Sequence, residues 1–177
     1  MQNKPIIVPV PWLAQEVTNF IDQYLSKISG PKILEFGAGC STAFFAAYKP
    51  GHLVSVEHNP KWFELVQAYI TQNSLQVDLR LVIKDYYQEC AKFPADYFDF
   101  VLIDSQSRMG CLQAVKDYGI VKKGGIVMLD DSDMYQKYQV ADQIMQNWSQ
   151  FELSGLKQNP LNLDELPKMG AAKWWVK

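Results

Sequence analysis

The succession of patterns between residues 32 and 57 constrains this chain more than any other feature. KILEFGAGCST, residues 32–42, is a short apolar run containing Glu35, followed by Gly37 and Gly39 and then by a segment able to start a helix. A second apolar run, LVSVEHNP, ends in an acid, Glu57, 20 residues after Gly37. Strand, glycine loop, helix, strand and terminal acid in that order describe one half of a parallel α/β sheet. Such a sheet sets a bare backbone turn and a carboxylate at the carboxyl ends of neighbouring strands, where these folds bind nucleoside ligands.

The loop narrows the ligand. A dinucleotide fold wants a third glycine so that its helix can pack close to the strand, and Thr42 stands there. A phosphate-binding loop needs a lysine to reach the phosphates, and GAGCST has none. What remains is a loop for a ligand without phosphates, with Glu57 placed to accept hydrogen bonds from both hydroxyls of a ribose. S-adenosylmethionine meets that description.

Hydrophobic periodicity predicts the other elements. Leu13, Val17, Phe20, Ile21, Tyr24, Leu25 and Ile28 form one helical stripe closed by Gly30 and Pro31. Asn59 and Pro60 cap a helix whose buried face is Trp62, Phe63, Val66, Tyr69 and Ile70. Val77 to Ile83 alternates as a third strand, Phe98 to Ile103 has the continuous apolar character of a central parallel strand, and Ile126 to Leu129 makes a fifth. Helices are expected over about Gly110 to Val121 and about Tyr138 to Trp148. Phe151 to Leu153 and Ala172 to Val176 read as a hairpin around the stretch Ser154 to Gly170.

With LEFGAGCST, VSVEHNP, LVIKDYY, FDFVLIDS and GGIVMLDDS in this order, the chain resembles a class I S-adenosylmethionine-dependent methyltransferase, and within that class the small, catechol O-methyltransferase-like group. The resemblance implies an α/β, Rossmann-like doubly wound sheet of about seven strands, mostly parallel with an antiparallel C-terminal hairpin. It implies one domain over residues 1–177, with 1–30 as an N-terminal helical extension and 31–177 as the core. The activity it implies is methyl transfer to an oxygen of a small molecule.

Carried onto this sequence, the cofactor-binding residues are Glu35, Gly37, Gly39, Ser41, Glu57, His58, Asp85, Tyr86 and Asp104. Glu35 lies near the donor's ammonium, and Glu57 takes the ribose. Asp85 and Tyr86 follow the third strand and are placed to meet the adenine, although Asp85 reads equally well as a helix cap. Asp104 is also the candidate catalytic residue. Asp104 ends the fourth strand and Asp130 and Asp131 end the fifth, so three hard oxygen donors converge on the cofactor rim as a candidate site for Mg²⁺ or another divalent cation. Such an ion would gather a substrate's adjacent oxygens and lower the pKa of the attacking hydroxyl. Asp131 stands where that group has asparagine, and Arg108 is the nearest basic residue where the group has a lysine. The competing reading makes these acids helix and loop caps with no ion.

Composition sets the outer bounds. With 177 residues, 48% of them hydrophobic, the chain can bury one sizeable core. Its net charge is -2 and its 17 basic residues are scattered, which argues against nucleic acid as a partner. No apolar run reaches a membrane span and Met1 to Pro11 lacks the features of a secretory signal, so a cytoplasmic protein is expected, with no membrane partner. Cys40, Cys90 and Cys111 are odd in number and widely spaced, as reduced packing residues are. A homodimer is left open. Two other activities stay open as well: a nicotinamide-dependent oxidoreductase and a non-catalytic S-adenosylmethionine-binding module. The segments Val10 to Leu13, Gln106 to Met109, Asp133 to Tyr135 and Ser154 to Gly170 are expected to border the acceptor, because they flank the carboxyl rim.

Overall fold

The computed structural model describes residues 7–134 and 138–177. Residues 1–6 of the expected N-terminal extension, and Tyr135 of the expected acceptor border, lie outside them. Helix α1 (Gln15–Leu25) precedes β1 (Lys32–Phe36), α2 (Cys40–Ala46), β2 (His52–Glu57), α3 (Pro60–Gln72) and β3 (Asp78–Leu81). A 3-10 segment, Tyr86–Lys92, leads to β4 (Phe98–Ile103), α4 (Arg108–Tyr118) and β5 (Val121–Asp130). The short helix α5 (Ala141–Ile144) and the strands β6 (Ser149–Lys157) and β7 (Lys168–Val176) complete the described chain.

The strands form one seven-stranded sheet in the order β3-β2-β1-β4-β5-β7-β6. The first five are parallel, and β7 runs antiparallel to both β5 and β6. The chain moves outward from β1 to β3 and then returns to lay β4 against the other side of β1. That reversal opens a crevice above the carboxyl ends of β1 and β4, where Gly37 and Asp104 follow their strands.

Both sheet faces are covered, which is why the central strands β1 and β4 are largely apolar. Leu34, Phe36, Val101 and Ile103 pack on one face with α4 residues Cys111, Leu112 and Val115. Ile33, Phe100 and Leu102 pack on the other with Val17, Ile21 and Leu25 of α1. Strand alternation puts Glu35 on the second of these faces, opposite Ser55 of β2 in register. Asn59 caps α3 as expected, its side chain accepting from the N–H groups of Lys61 and Trp62 at 3.0 and 3.2 Å.

Three boundaries differ from the periodicity reading. Helix α4 begins at Arg108 and stops at Gly119, whose φ of 61° ends the helical path, so Ile120 and Val121 enter the core as the approach to β5. The helix expected over Tyr138 to Trp148 is regular only over α5, although Tyr138, Ala141 and Met145 are buried as that stripe requires. The hairpin is much longer than the two apolar runs, pairing from Ser149↔Val176 to Lys157↔Lys168. Cross-strand pairing here overrides the loop-like composition of residues 154–157 and 168–170. Gly155 lies against α1: a Cβ there would fall 1.4 Å from the Glu16 carboxylate, so that exposed side chain would have to shift.

Candidate active site at the carboxyl rim

The loop after β1 is held in a shape few side chains would permit. Gly37 has a φ of 104°, and a Cβ on it would come within 2.1 Å of the Asp104 carbonyl oxygen. The loops after β1 and β4 therefore touch backbone to backbone. At Gly39 a Cβ would meet the Trp62 ring at 3.5 Å, and the Trp62 indole N–H donates to the Ala38 carbonyl at 2.6 Å. Thr42 closes the loop from below: its hydroxyl accepts the Gly39 N–H at 2.9 Å and donates to Glu35 at 2.5 Å.

Glu35 is wholly buried beneath this loop. One carboxylate oxygen takes the hydroxyls of Thr42 and Ser55, and the other has no hydrogen-bond partner. Burial raises its pKa to about 7, against the Ser41, Thr42 and Ser55 hydroxyls that favour the anion, and Asp104 adds to the rise. Glu35 thus supports the loop from behind and does not line the cavity in front of it.

Glu57 ends β2 with its side chain 4% exposed. Its Oε1 accepts the N–H groups of His58 and Asn59 at 2.8 and 2.7 Å and lies 3.1 Å from His58 Nδ1. These bonds fix the carboxylate and leave its second oxygen free of them. Asp85 and Tyr86 are not among the residues lining the cavity in front of the loop. Asp85 has a left-handed backbone and meets only the Tyr87 hydroxyl, at 3.3 Å. Tyr86 is buried, accepts the Ser107 N–H at 2.6 Å and stacks on His58 with centroids 6.1 Å apart. It therefore backs His58.

In front of the loop lies a cavity of about 410 Å³, in the size range of small-molecule sites. Of the residues read from sequence, Gly37, Gly39, Ser41, Glu57, His58 and Asp104 line it. Trp12, Trp62, Pro160 and Leu161 supply apolar walls. A second cavity of about 460 Å³ adjoins it, lined by Asp131, Asp133, Met134, Lys157, Lys168 and Met169. Trp12 and Asp104 belong to both, so the two spaces meet at Asp104. Val10 and Leu13 instead line a third space with Phe44 and Leu156, away from the rim.

Asp104, Asp130 and Asp131 do converge, with one oxygen of each within 4.8 Å of the others. Two cations of the chain stand among them. Arg108 binds Asp104 closely and Asp131 at 2.8 Å, while Lys157 Nζ lies 2.6 Å from Asp130 and 2.7 Å from Asp131. Burial raises the Asp130 pKa to about 7, with Asp104 adding to it and Lys157 opposing. Burial also raises that of Asp104, against Arg108 and Lys157. For Lys157 burial works against the charge, but the two carboxylates outweigh it and the pKa rises. A divalent ion bound to these donors would have to displace the ammonium, so the donor set as it stands does not fit one.

A Rossmann-like sheet, a side-chain-free turn after β1, an acid ending β2 and a cavity across the β1/β4 switch point define a nucleoside-dependent enzyme of the class I methyltransferase fold. Residues 34–132 match a family model described as a methyltransferase domain. The chain belongs to that methyltransferase family.

Among solved structures, the O-methyltransferase of Bacillus cereus in complex with S-adenosylhomocysteine is similar with a TM-score of 0.70 and 17% identity, over 93% of this chain and 82% of that one. TomG, an O-methyltransferase of Streptomyces achromogenes involved in tomaymycin synthesis and solved with S-adenosylmethionine, gives 0.67 and 13%, over 93% and 81%. A tRNA (m1A58) methyltransferase of Aquifex aeolicus gives 0.63 and 17%, over 100% and 72%. Comparison with the sequences of curated proteins gives no match.

Proposed function

We propose that this methyltransferase moves the methyl group of S-adenosylmethionine onto an oxygen of a small molecule, with the donor in the cavity at the glycine loop and the acceptor in the adjoining one. The observation that carries the reading is Glu57: a fixed, nearly buried carboxylate at a strand end, with one oxygen left for a ribose diol. The cavity chemistry agrees. Glu57 and Asp104 give it acidic walls, and among the described residues its one always-charged cation, Arg108, is held by Asp104, Asp131 and the Ser105 carbonyl. Such a lining suits a cationic sulfonium and ammonium and opposes a pyrophosphate, which disfavours a nicotinamide dinucleotide.

Bound there, the donor supplies an activated methyl on a sulfonium, so the protein needs above all to align the reactants. Gly37 and Gly39 let the backbone approach the donor's amino-acid end, and Trp62 keeps the loop in place. Asp104 stands at the junction of the two cavities and is the group placed to take the proton from an attacking hydroxyl as the oxygen–carbon bond forms. Arg108 orients it.

The acidic cavity walls and the net charge of -2 favour a small acceptor over nucleic acid. Among the described residues no helix is long and apolar enough to cross a membrane, and the three cysteines are buried free thiols, which accords with the reducing cytoplasm. The test is calorimetry with S-adenosylhomocysteine and NAD⁺, followed by transfer of an isotopically labelled methyl to a panel of hydroxylated small molecules and to RNA. Binding of S-adenosylhomocysteine and label in a small molecule support the reading. Binding of NAD⁺ alone, or label only in RNA, overturns it.

A further inference from the structure

The rim carboxylates are arranged as if around a positive charge, and the chain provides that charge itself. Asp104, Asp130 and Asp131 present three oxygens within 4.8 Å of one another, a spacing suited to a hard divalent ion. Between them stand an ammonium and a guanidinium, whose combined charge is that of such an ion. Lys157 Nζ makes contacts of 2.6 and 2.7 Å to Asp130 and Asp131, and Arg108 bridges Asp131 to Asp104. Their side chains are only 9% and 10% exposed, so these pairs are part of the interior wall.

The surrounding backbone is shaped for this arrangement. Lys157 reaches the rim because β6 continues to its pairing with Lys168. Its stem lies across Gly170, where a Cβ would come within 3.0 Å of Lys157 Cδ and 3.3 Å of its Cβ, so a side chain at 170 would press on the lysine stem. Asp131 holds a φ of 56°, an uncommon backbone for a non-glycine residue, and this turn presents its two oxygens to the two cations. Removing either cation would leave buried carboxylate charge without compensation.

We propose that Lys157 and Arg108 take the place of a divalent cation in this rim, so that the chain holds no resident metal there and its methyl transfer proceeds without one. The inference rests on the methyltransferase reading only for its last clause; the exclusion of the ion follows from the cluster alone.

The test is titration of Mn²⁺ into the full chain, followed by calorimetry and by the electron paramagnetic resonance signal of the free ion. The wild-type protein is expected to show no saturable binding up to about 1 mM. Lys157→Met, which keeps the stem and removes the charge, is expected to bind one Mn²⁺ per chain at least about tenfold more tightly, and adding Asp130→Asn should abolish that gain.

Wild-type protein that binds one Mn²⁺ per chain at micromolar concentration, with the binding lost in Asp130→Asn, overturns the proposal. So does a folded Lys157→Met that binds no more tightly than wild type. Should Lys157→Met not fold, the wild-type titration decides alone. Lys157 does not line the donor cavity, so S-adenosylhomocysteine titrated into the same samples separates the two readings: its failure to bind the wild type counts against the donor assignment and leaves the Mn²⁺ result intact.

Discussion

Replacing Glu57 with glutamine isolates the ribose contact from the structural role of the same side chain. Glu57 accepts two backbone N–H groups through Oε1, at 2.8 Å from His58 and 2.7 Å from Asn59. Glutamine keeps the length and one carbonyl oxygen, which can go on accepting both. What changes is the second oxygen, which becomes a donor facing the cavity, where ribose hydroxyls would otherwise donate to an anion. Hydrogen bonds to a charged acceptor contribute about 1.5–3 kcal/mol each. Losing the equivalent of one strong bond or two weaker ones costs about 3 kcal/mol, or roughly 100-fold in affinity.

The assay is calorimetric titration of S-adenosylhomocysteine into wild type and Glu57→Gln, with thermal unfolding measured on both. The expected result is a dissociation constant about 100-fold weaker with a Tm change of less than about 4 °C, equivalent to no more than about 1 kcal/mol. Glu57→Ala should lose affinity and in addition stability, by about 1–3 kcal/mol, because both N–H groups are left without an acceptor. Glu57→Gln binding within about threefold of wild type would refute the argument, since the ribose would then be held by something else.

Gly37→Ala should destabilise the chain by about 3–5 kcal/mol in urea unfolding, as it combines a positive φ with a Cβ placed 2.1 Å from the Asp104 carbonyl; a native-like midpoint would count against the close approach described. Trp62→Phe keeps an aromatic side chain but replaces the indole with a smaller ring and removes the N–H that holds Ala38 in place, with an expected cost of at least about 1 kcal/mol and weaker donor binding, measured by the same titration.

Glu35 governs a pH effect whose sign is fixed. Its folded pKa of about 7 lies above the ordinary 4.5, so between those values the native state holds more protons than the unfolded one and stability falls as pH rises. The fall amounts to about 3 kcal/mol across that window, and Glu35→Gln should flatten its share in unfolding curves of the ligand-free protein taken at pH 4.5 to 8. Asp130, also raised to about 7, contributes with the same sign and remains in that variant.

The parts of the site that were legible in the sequence are those fixed by local chemistry. Gly37 marks a turn whose positive φ and close approach to the Asp104 carbonyl require glycine, and Asn59 with Pro60 caps α3 so firmly that Glu57 must fall at the preceding strand end. The positions of the parallel strands were legible from their apolar runs, although their order across the sheet comes from the structure. Lys157 was hidden because it lies in a stretch whose composition reads as loop and whose strand character comes from pairing with β7. Gly155 and Gly170, paired across that hairpin, were the available signal.

Trp62 read as core because helical periodicity reports which face is covered without saying by what. Asp85 and Tyr86 stand outside the cavity lining for a related reason: they follow the edge strand β3, and Tyr86 is drawn into the core by Phe36 and by the Ser107 N–H. Sequence showed Asp104, Asp130 and Asp131 coming together, but the cations between them arrive from 4 and 27 residues away along the chain.

The meeting of Gly37 with the Asp104 carbonyl joins the loops after β1 and β4 with no side chain between them. On the proposed reading, methyl donor and proton acceptor are each held at a strand end, and these two strand ends meet backbone to backbone. A displacement of one loop must carry the other with it. If the proposed reading holds, substrate choice can diversify through Trp12, Met134 and Met169 at the outer wall, while the spacing between the two loops is set by the backbone.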